Sequence, residues 1–186
     1  MRVILEGPDN AGKTTLAEKI VGSVKNGVHY FHPGGRPTDF EHEVACVTEQ
    51  LKCLTSHSKV VMDRVTPISQ QVYYPDPALD PVRRDMLRQY TEMDVLFIYC
   101  KPSVDRLLRT QDLTWREGES EDHKQKIITR QHEFVKRYDE VIQQVKFICY
   151  DFEDQRMSGV IVNQLAAAMA GSTEAVDWFQ RLINYR

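Results

Sequence analysis

The segment Gly7-Pro8-Asp9-Asn10-Ala11-Gly12-Lys13-Thr14 constrains this chain more than any other. It is a complete G-x-x-x-x-G-K-[ST] phosphate loop. The apolar run Val3-Ile4-Leu5 precedes it, and Thr15-Leu16-Ala17-Glu18-Lys19-Ile20-Val21 follows with the pattern of a helix. Strand, glycine-rich loop and helix start in that order make an anion site, because the first-turn N–H groups lack partners within the helix. Gly7 and Gly12 allow backbone angles that a side chain forbids, so successive N–H groups can turn inward onto phosphate oxygens. Lys13 is spaced to reach the β- and γ-phosphates, and the Thr14 hydroxyl to meet Mg²⁺. The expectation is a nucleoside triphosphate site.

The rest of the chain supplies a scaffold for such a loop. Apolar runs alternate with helical patterns, which predicts an α/β domain with a mainly parallel sheet. Strands are expected at Arg2–Leu5, Val28–Phe31, Lys59–Met62, Val95–Cys100 and Lys146–Cys149. Several are continuously apolar, as strands covered on both faces should be. Helices are expected near Lys13–Ser23, Phe40–Thr55, Pro81–Glu92, Ser103–Gln111 and Ser120–Gln144, with one more in the tail from Gly159. The tail's Trp178-Phe179-Gln180-Arg181-Leu182-Ile183 would cap the sheet or dock on a partner subunit. At 186 residues the chain fits a single domain with a substantial core.

Charge narrows the partners. The formal net charge is −3, and Lys and Arg are scattered among Asp and Glu. Without a basic block, nucleic-acid polymers are not expected to bind. No apolar run reaches membrane-span length and no secretory leader is expected, which excludes a membrane and points to the cytoplasm. Cys46, Cys53, Cys100 and Cys149 form no C-x-x-C pair. Cys100 and Cys149 end apolar runs and read as buried strand residues in a reducing compartment.

A phosphate loop alone does not separate kinases from GTPases, ATPases or helicases. No guanine-reading N-K-x-D sequence is present, which argues against a small GTPase. Lys59-Val60-Val61-Met62-Asp63-Arg64 is an apolar strand ending in an acid and an arginine. Asp63 stands where a Walker-B carboxylate holds Mg²⁺, directly or through water. Arg64, at the strand's carboxyl end, offers a guanidinium fork suited to a second phosphate.

With these residues in place, the chain resembles the thymidylate kinase family of nucleoside monophosphate kinases, from about residue 2 to residue 165. Gly7 to Thr15, with an acid at the loop's third position, is similar to the family's phosphate loop. His32-Pro33-Gly34-Gly35 resembles its E-P-G-G turn, and Asp63-Arg64 followed by Ser69 and Gln70 resembles its D-R-[YH] segment. Met93 to Tyr99, Pro102-Ser103-Val104 and an Arg-bearing loop resemble its fourth strand and lid. The resemblance implies a three-layer P-loop kinase fold with a mainly parallel five-stranded sheet flanked by helices. It implies that Gly7, Asn10, Ala11, Gly12, Lys13, Thr14 and Thr15 hold ATP, with Thr14 and Asp63 at the Mg²⁺. It also places Asp9 near the acceptor sugar and Arg64 on the acceptor monophosphate. Asn10 stands where one subgroup carries a loop arginine, so the missing cation is assigned to the lid, about residues 109–122, through Arg109 and Arg116. A homodimer is implied as well.

Substrate choice departs from the family. The segment between Gly35 and Asp63 is short, and Phe40-Glu41-His42-Glu43-Val44-Ala45-Cys46-Val47 lacks the family's base-contacting arginine. His42 and Glu43 fall near that position, and Phe40, Ser69, Gln70 and Tyr73 are the expected contacts of the acceptor base. The leading expectation is transfer of the ATP γ-phosphoryl to a (deoxy)nucleoside 5′-monophosphate, with dTMP the first acceptor to try. One alternative is a deoxynucleoside kinase acting on a free 5′-hydroxyl, with Glu6 or Asp9 as base. Another is a nucleotide-gated interaction module without turnover.

Overall fold

In a computed structural model, the described residues are 1–24, 27–33, 36–110 and 121–184. Their strands are β1 (Arg2–Glu6), β2 (His29–Phe31), β3 (Val60–Asp63), β4 (Val95–Cys100) and β5 (Phe147–Tyr150). Helices α1 (Lys13–Ser23), α2 (Phe40–Ser56), α3 (Thr66–Tyr73) and α4 (Asp80–Thr91) belong to the first half. In the second half are α5 (Val104–Thr110), α6 (Glu121–Val141), α7 (Gln155–Ala170) and α8 (Thr173–Asn184).

The strands form one sheet in the order β2-β3-β1-β4-β5, with every pairing parallel. Side chains alternate between its faces. Val3, Leu5, Val61, Leu96 and Ile98 enter a core shared with Leu16 and Ile20 of α1, Leu165 of α7 and Phe179 of α8. Ile4, Val60, Met62, Phe97 and Tyr99 enter the opposite core with α2, α3, α4 and α6. Both faces are covered, which is why the strands read as apolar runs. At β1 the chain order reverses, with β3 on one side and β4 on the other. Such a switch point opens a crevice at the carboxyl ends of the strands.

Three parts differ from the sequence expectation. α3 has no counterpart in it: Pro67 sits in the helix's first turn, where a missing N–H costs nothing and a fixed φ favours the helix. Gln50 of α2 then caps that turn, accepting from the Thr66 N–H at 3.1 Å and donating to the Thr66 hydroxyl at 3.0 Å. The tail holds two helices rather than one, and the first begins before Gly159, at Gln155. Gly171, at φ 106°, ends α7 with its own N–H and that of Ser172 returned to carbonyls of the last turn. The long helix stops at Val141 and tightens into a 3₁₀ turn, Ile142–Gln144. α7 and α8 pack on the sheet, the first of the two roles expected for the tail. Cys100 is buried as expected, whereas Cys149 is only half-buried. No helix among the described residues is long and apolar enough to cross a membrane.

Candidate active site

The phosphate loop joins β1 to α1 at the switch point. Gly7 (φ 141°), Asn10 (φ 61°) and Gly12 (φ 78°) all take left-handed backbone. At Gly7 space also forbids a side chain, since a Cβ would lie 2.3 Å from the Cys100 carbonyl oxygen of β4. Asn tolerates this region better than other side-chain-bearing residues. Gly12 is the N-cap of α1 and supplies no side-chain cap, so that end of the helix is left to an anion. Ala11 is buried beneath the loop, and Thr15 is exposed on the first turn of α1.

Lys13 is buried, and its ammonium donates to the loop's own carbonyls, Gly7 at 3.0 Å and Pro8 at 2.7 Å. Burial lowers its pKa, and the nearby Arg64 charge lowers it further, against the pull of Asp63 and Asp9. Thr14 donates from Oγ1 to Asp63 Oδ2 at 3.2 Å. The Tyr30 hydroxyl donates to the same oxygen at 3.3 Å, and His32 Nδ1 lies 3.4 Å from it. Burial alone would raise the Asp63 pKa. The His32 contact and the charges of Lys13 and Arg64 overcome that and hold the carboxyl below its ordinary range. Asp63 Oδ1 is buried without a protein partner among the described residues.

Arg64 leaves β3 at φ 77°, a conformation that costs a residue with a side chain about 1–2 kcal/mol. Two contacts with β1 enforce it: the Arg64 N–H donates to the Leu5 carbonyl at 2.9 Å, and the Val65 N–H to Glu6 Oε1 at 2.6 Å. The turn aims the guanidinium at the phosphate loop. There it donates to Asp9 Oδ1 at 2.6 Å, to the Tyr73 hydroxyl at 3.1 Å and to the Gly7 carbonyl at 3.4 Å. Burial would raise the Asp9 pKa, but Arg64 and Lys13 hold it below its ordinary value. Glu6 is fully buried, which pushes its pKa up to about 8 against the Val65 N–H and the charges of Arg64 and Lys13.

The structure therefore brings the expected residues into one cluster: Thr14 bonds Asp63, Arg64 bonds Asp9 and Tyr73, and Lys13 and Arg64 share the Gly7 carbonyl. Ser69 Oγ and Gln70 are buried on α3, while Phe40 is exposed at the start of α2. Glu43 is not free to read a base. It forms a buried two-pronged ion pair with Arg83 of α4, at 2.9 and 3.0 Å, and Arg83 also donates to the Tyr74 carbonyl at 3.1 Å. His42 turns its Nδ1 to the Thr38 N–H before α2. Arg109 lies exposed on α5, its Nε donating to the Asp105 carbonyl of its own turn. Arg116, most of the proposed lid, and Gly34 and Gly35 lie outside the described residues.

Sequence reasoning missed several neighbours. Tyr30 and His32 are two apart, and that spacing in a strand puts both on the side of Asp63. Arg36 stacks on the Tyr74 ring, its Cζ 3.5 Å from the centroid, and adds a cation beside α3. Phe152 lies against Gly12, with Arg106 over its ring at 5.7 Å.

No protein-family profile and no curated protein sequence matches the chain. Solved structures do resemble it. The YorR protein of Bacillus subtilis, in complex with phosphorylated GDP, is 16% identical, with 92% of this chain and 99% of that one covered and a TM-score of 0.60. Polyphosphate kinase 2 of Arthrobacter aurescens is 17% identical over 91% of this chain and 67% of that one, with a TM-score of 0.65. Deoxyadenosine kinase of M. mycoides with bound dATP is 20% identical over 89% of this chain and 99% of that one, with a TM-score of 0.58. The likeness is one of fold: a three-layer α/β P-loop kinase architecture with a five-stranded parallel sheet.

Proposed function

We propose that the protein is a phosphotransferase that moves the γ-phosphoryl of ATP to a nucleoside 5′-monophosphate, with dTMP the first acceptor to try. The observation that carries this reading is the placement of Arg64. A strained turn holds its guanidinium 2.6 Å from Asp9 of the phosphate loop, and it shares the Gly7 carbonyl with Lys13. A cation in that position suits a second phosphate.

In the proposed reaction the loop amides hold the triphosphate, and Lys13 leaves the Gly7 and Pro8 carbonyls to pair with its outer oxygens. Asp63 and Thr14 offer only oxygen ligands, and Asp63 Oδ1 is a buried acceptor without a partner among the described residues, so this donor set fits Mg²⁺. Bound there, the ion would neutralise charge on the β- and γ-phosphate oxygens. Arg64 exchanges Asp9 for the acceptor phosphate. Asp9, thereby released, faces the acceptor sugar. An acceptor oxygen forms the new bond to the γ-phosphorus as the bond to ADP breaks, so positioning and charge are what the residues contribute. Phe152 and Arg106, beside Gly12, offer flat surfaces to the donor base. The likeness to polyphosphate kinase, YorR and deoxyadenosine kinase supports phosphoryl transfer in general.

Proton bookkeeping favours the monophosphate over a free nucleoside. A phosphate dianion already carries its nucleophilic charge, whereas a 5′-hydroxyl must lose a proton to a base. Glu6 is fully buried with Oε1 accepting from the Val65 N–H, so it is not presented to a substrate hydroxyl. Asp9 is held below its ordinary pKa by Arg64 and Lys13, which makes it a weak base. The deoxyadenosine kinase likeness makes the nucleoside the second reading, with Asp9 as the base. An ADP-release assay with ATP·Mg²⁺ across nucleoside monophosphates and nucleosides separates them. Turnover with at least one monophosphate is expected; turnover with nucleosides alone would overturn the proposal.

A further inference from the structure

At the end of the sheet away from the phosphate loop, two imidazoles and a thiol meet. His29 opens the edge strand β2, Cys53 lies in the last turn of α2, and His57 caps that helix. One ligand atom from each lies within 4.8 Å of the other two. Cys53 and His57 are four residues apart, so the helix puts them on one face. The two imidazole rings stack with centroids 4.1 Å apart and planes 9° from parallel.

A second contact prepares one of these groups for a metal. His57 Nδ1 lies 3.0 Å from the Cys53 carbonyl oxygen. A carbonyl only accepts, so Nδ1 carries the hydrogen and the neutral ring presents its lone pair at Nε2. Metal-bound histidines characteristically donate their other ring N–H to a carbonyl or carboxylate in this way.

We propose that His29, Cys53 and His57 form a site for a divalent ion of the zinc class, with solvent as the fourth ligand. Imidazole nitrogen and thiolate sulfur together select zinc over magnesium or calcium, which take oxygen ligands. A tetrahedral zinc sets its donor atoms about 3.3–3.8 Å apart, so the cluster needs to close by about 1 Å. Stacked rings hold their lone pairs in two parallel planes, and one ion cannot lie in both, so one ring must also turn. His29, with no side-chain hydrogen bond among the described residues, is the ring that turns. On binding, a Zn–S bond replaces the S–H bond and the proton goes to solvent. No electron moves.

The site would have a structural role. β2 is three residues long and among the described residues pairs only with β3, so it is weakly held. The ion would clip it to α2, the helix whose Glu43 and Gln50 hold α4 and α3 in place. It would stiffen the acceptor side from behind while leaving the phosphate loop untouched.

The test is a Co²⁺ titration of the metal-free full-length protein in excess Mg²⁺, which keeps cobalt from the oxygen ligands of Asp63 and Thr14. The expected result is one equivalent bound, with a near-ultraviolet thiolate-to-cobalt band and the visible bands of tetrahedral cobalt, both displaced by Zn²⁺. Cys53→Ser should abolish the thiolate band, and Cys46→Ser should leave it unchanged. His57→Gln, a change at an exposed position, should weaken binding at least about tenfold. Absence of the thiolate band in the wild type, its survival in Cys53→Ser, or unchanged affinity in His57→Gln would each overturn the proposal. The readout is spectroscopic, so it stands or falls independently of the phosphotransfer reading.

Discussion

The two sides of the proposed site are built in different ways. The donor side is, apart from Asp63, one contiguous segment, Glu6 to Thr15, with three left-handed residues, an uncapped helix start and a lysine folded back on loop carbonyls. The acceptor side is assembled from side chains far apart in the chain. Arg64 depends on Leu5 and Glu6, α3 depends on Gln50, and α2 and α4 are joined through Glu43 and Arg83. A site made from local backbone can be specified by a short motif. A site made from tertiary contacts is specified by pairs of residues that carry no fixed spacing.

The difference predicts how each side fails. Lys13→Ala should produce the largest effect, a kcat lower by about 10³-fold, because a preorganised charge on the transferring group is lost. Its circular dichroism should stay that of the wild type, since the change removes two hydrogen bonds within the loop and leaves the cores on both faces of the sheet intact. On the acceptor side the first casualty should be stability. Glu43→Gln should cost about 3–5 kcal/mol in urea unfolding, as Arg83 is left with an uncompensated buried charge. Replacing both Glu43 and Arg83 by Met should restore most of that loss. An equally unstable double variant would show that the pair has a further role.

A third expected effect is a pH dependence. In the folded protein Glu6 has a pKa raised from 4.5 to about 8, so the folded state binds the extra proton between those values. Stability from this group is complete below the unfolded pKa and is lost as pH rises through about 8. Glu6→Gln keeps an oxygen acceptor for the Val65 N–H but does not ionise. Wild type should therefore lose stability relative to Glu6→Gln as pH rises from 5 to 8, measured by urea unfolding at each pH. A difference that stays constant over that range would mean Glu6 is already ionised at the lower pH.

The same division explains what was legible in the sequence. The five strands and the phosphate loop were readable because apolar runs and a spaced motif are local signals. Asp63 and Arg64 were readable as candidates because they end an apolar strand. Helix α3 was not, since its cap comes from Gln50, sixteen residues upstream. Glu43 fell where a base contact was expected, yet its partner Arg83 lies 40 residues away and only the folded chain joins them. The break between α7 and α8 did have a local signal in Gly171-Ser172, which the helical run from Gly159 concealed. Tyr30 and His32 could have been found by carrying strand alternation one residue beyond β2.

The account centres on Arg64 as the acceptor's cation, and Arg64→Ala tests that most directly. ATP affinity by calorimetry and transfer to the best monophosphate should be measured on the same preparation. Retained ATP affinity, within about twofold, together with a fall in kcat/KM for the acceptor of about 10²-fold or more, is the predicted result. Unchanged acceptor kinetics, or an equal loss of ATP binding, would contradict it.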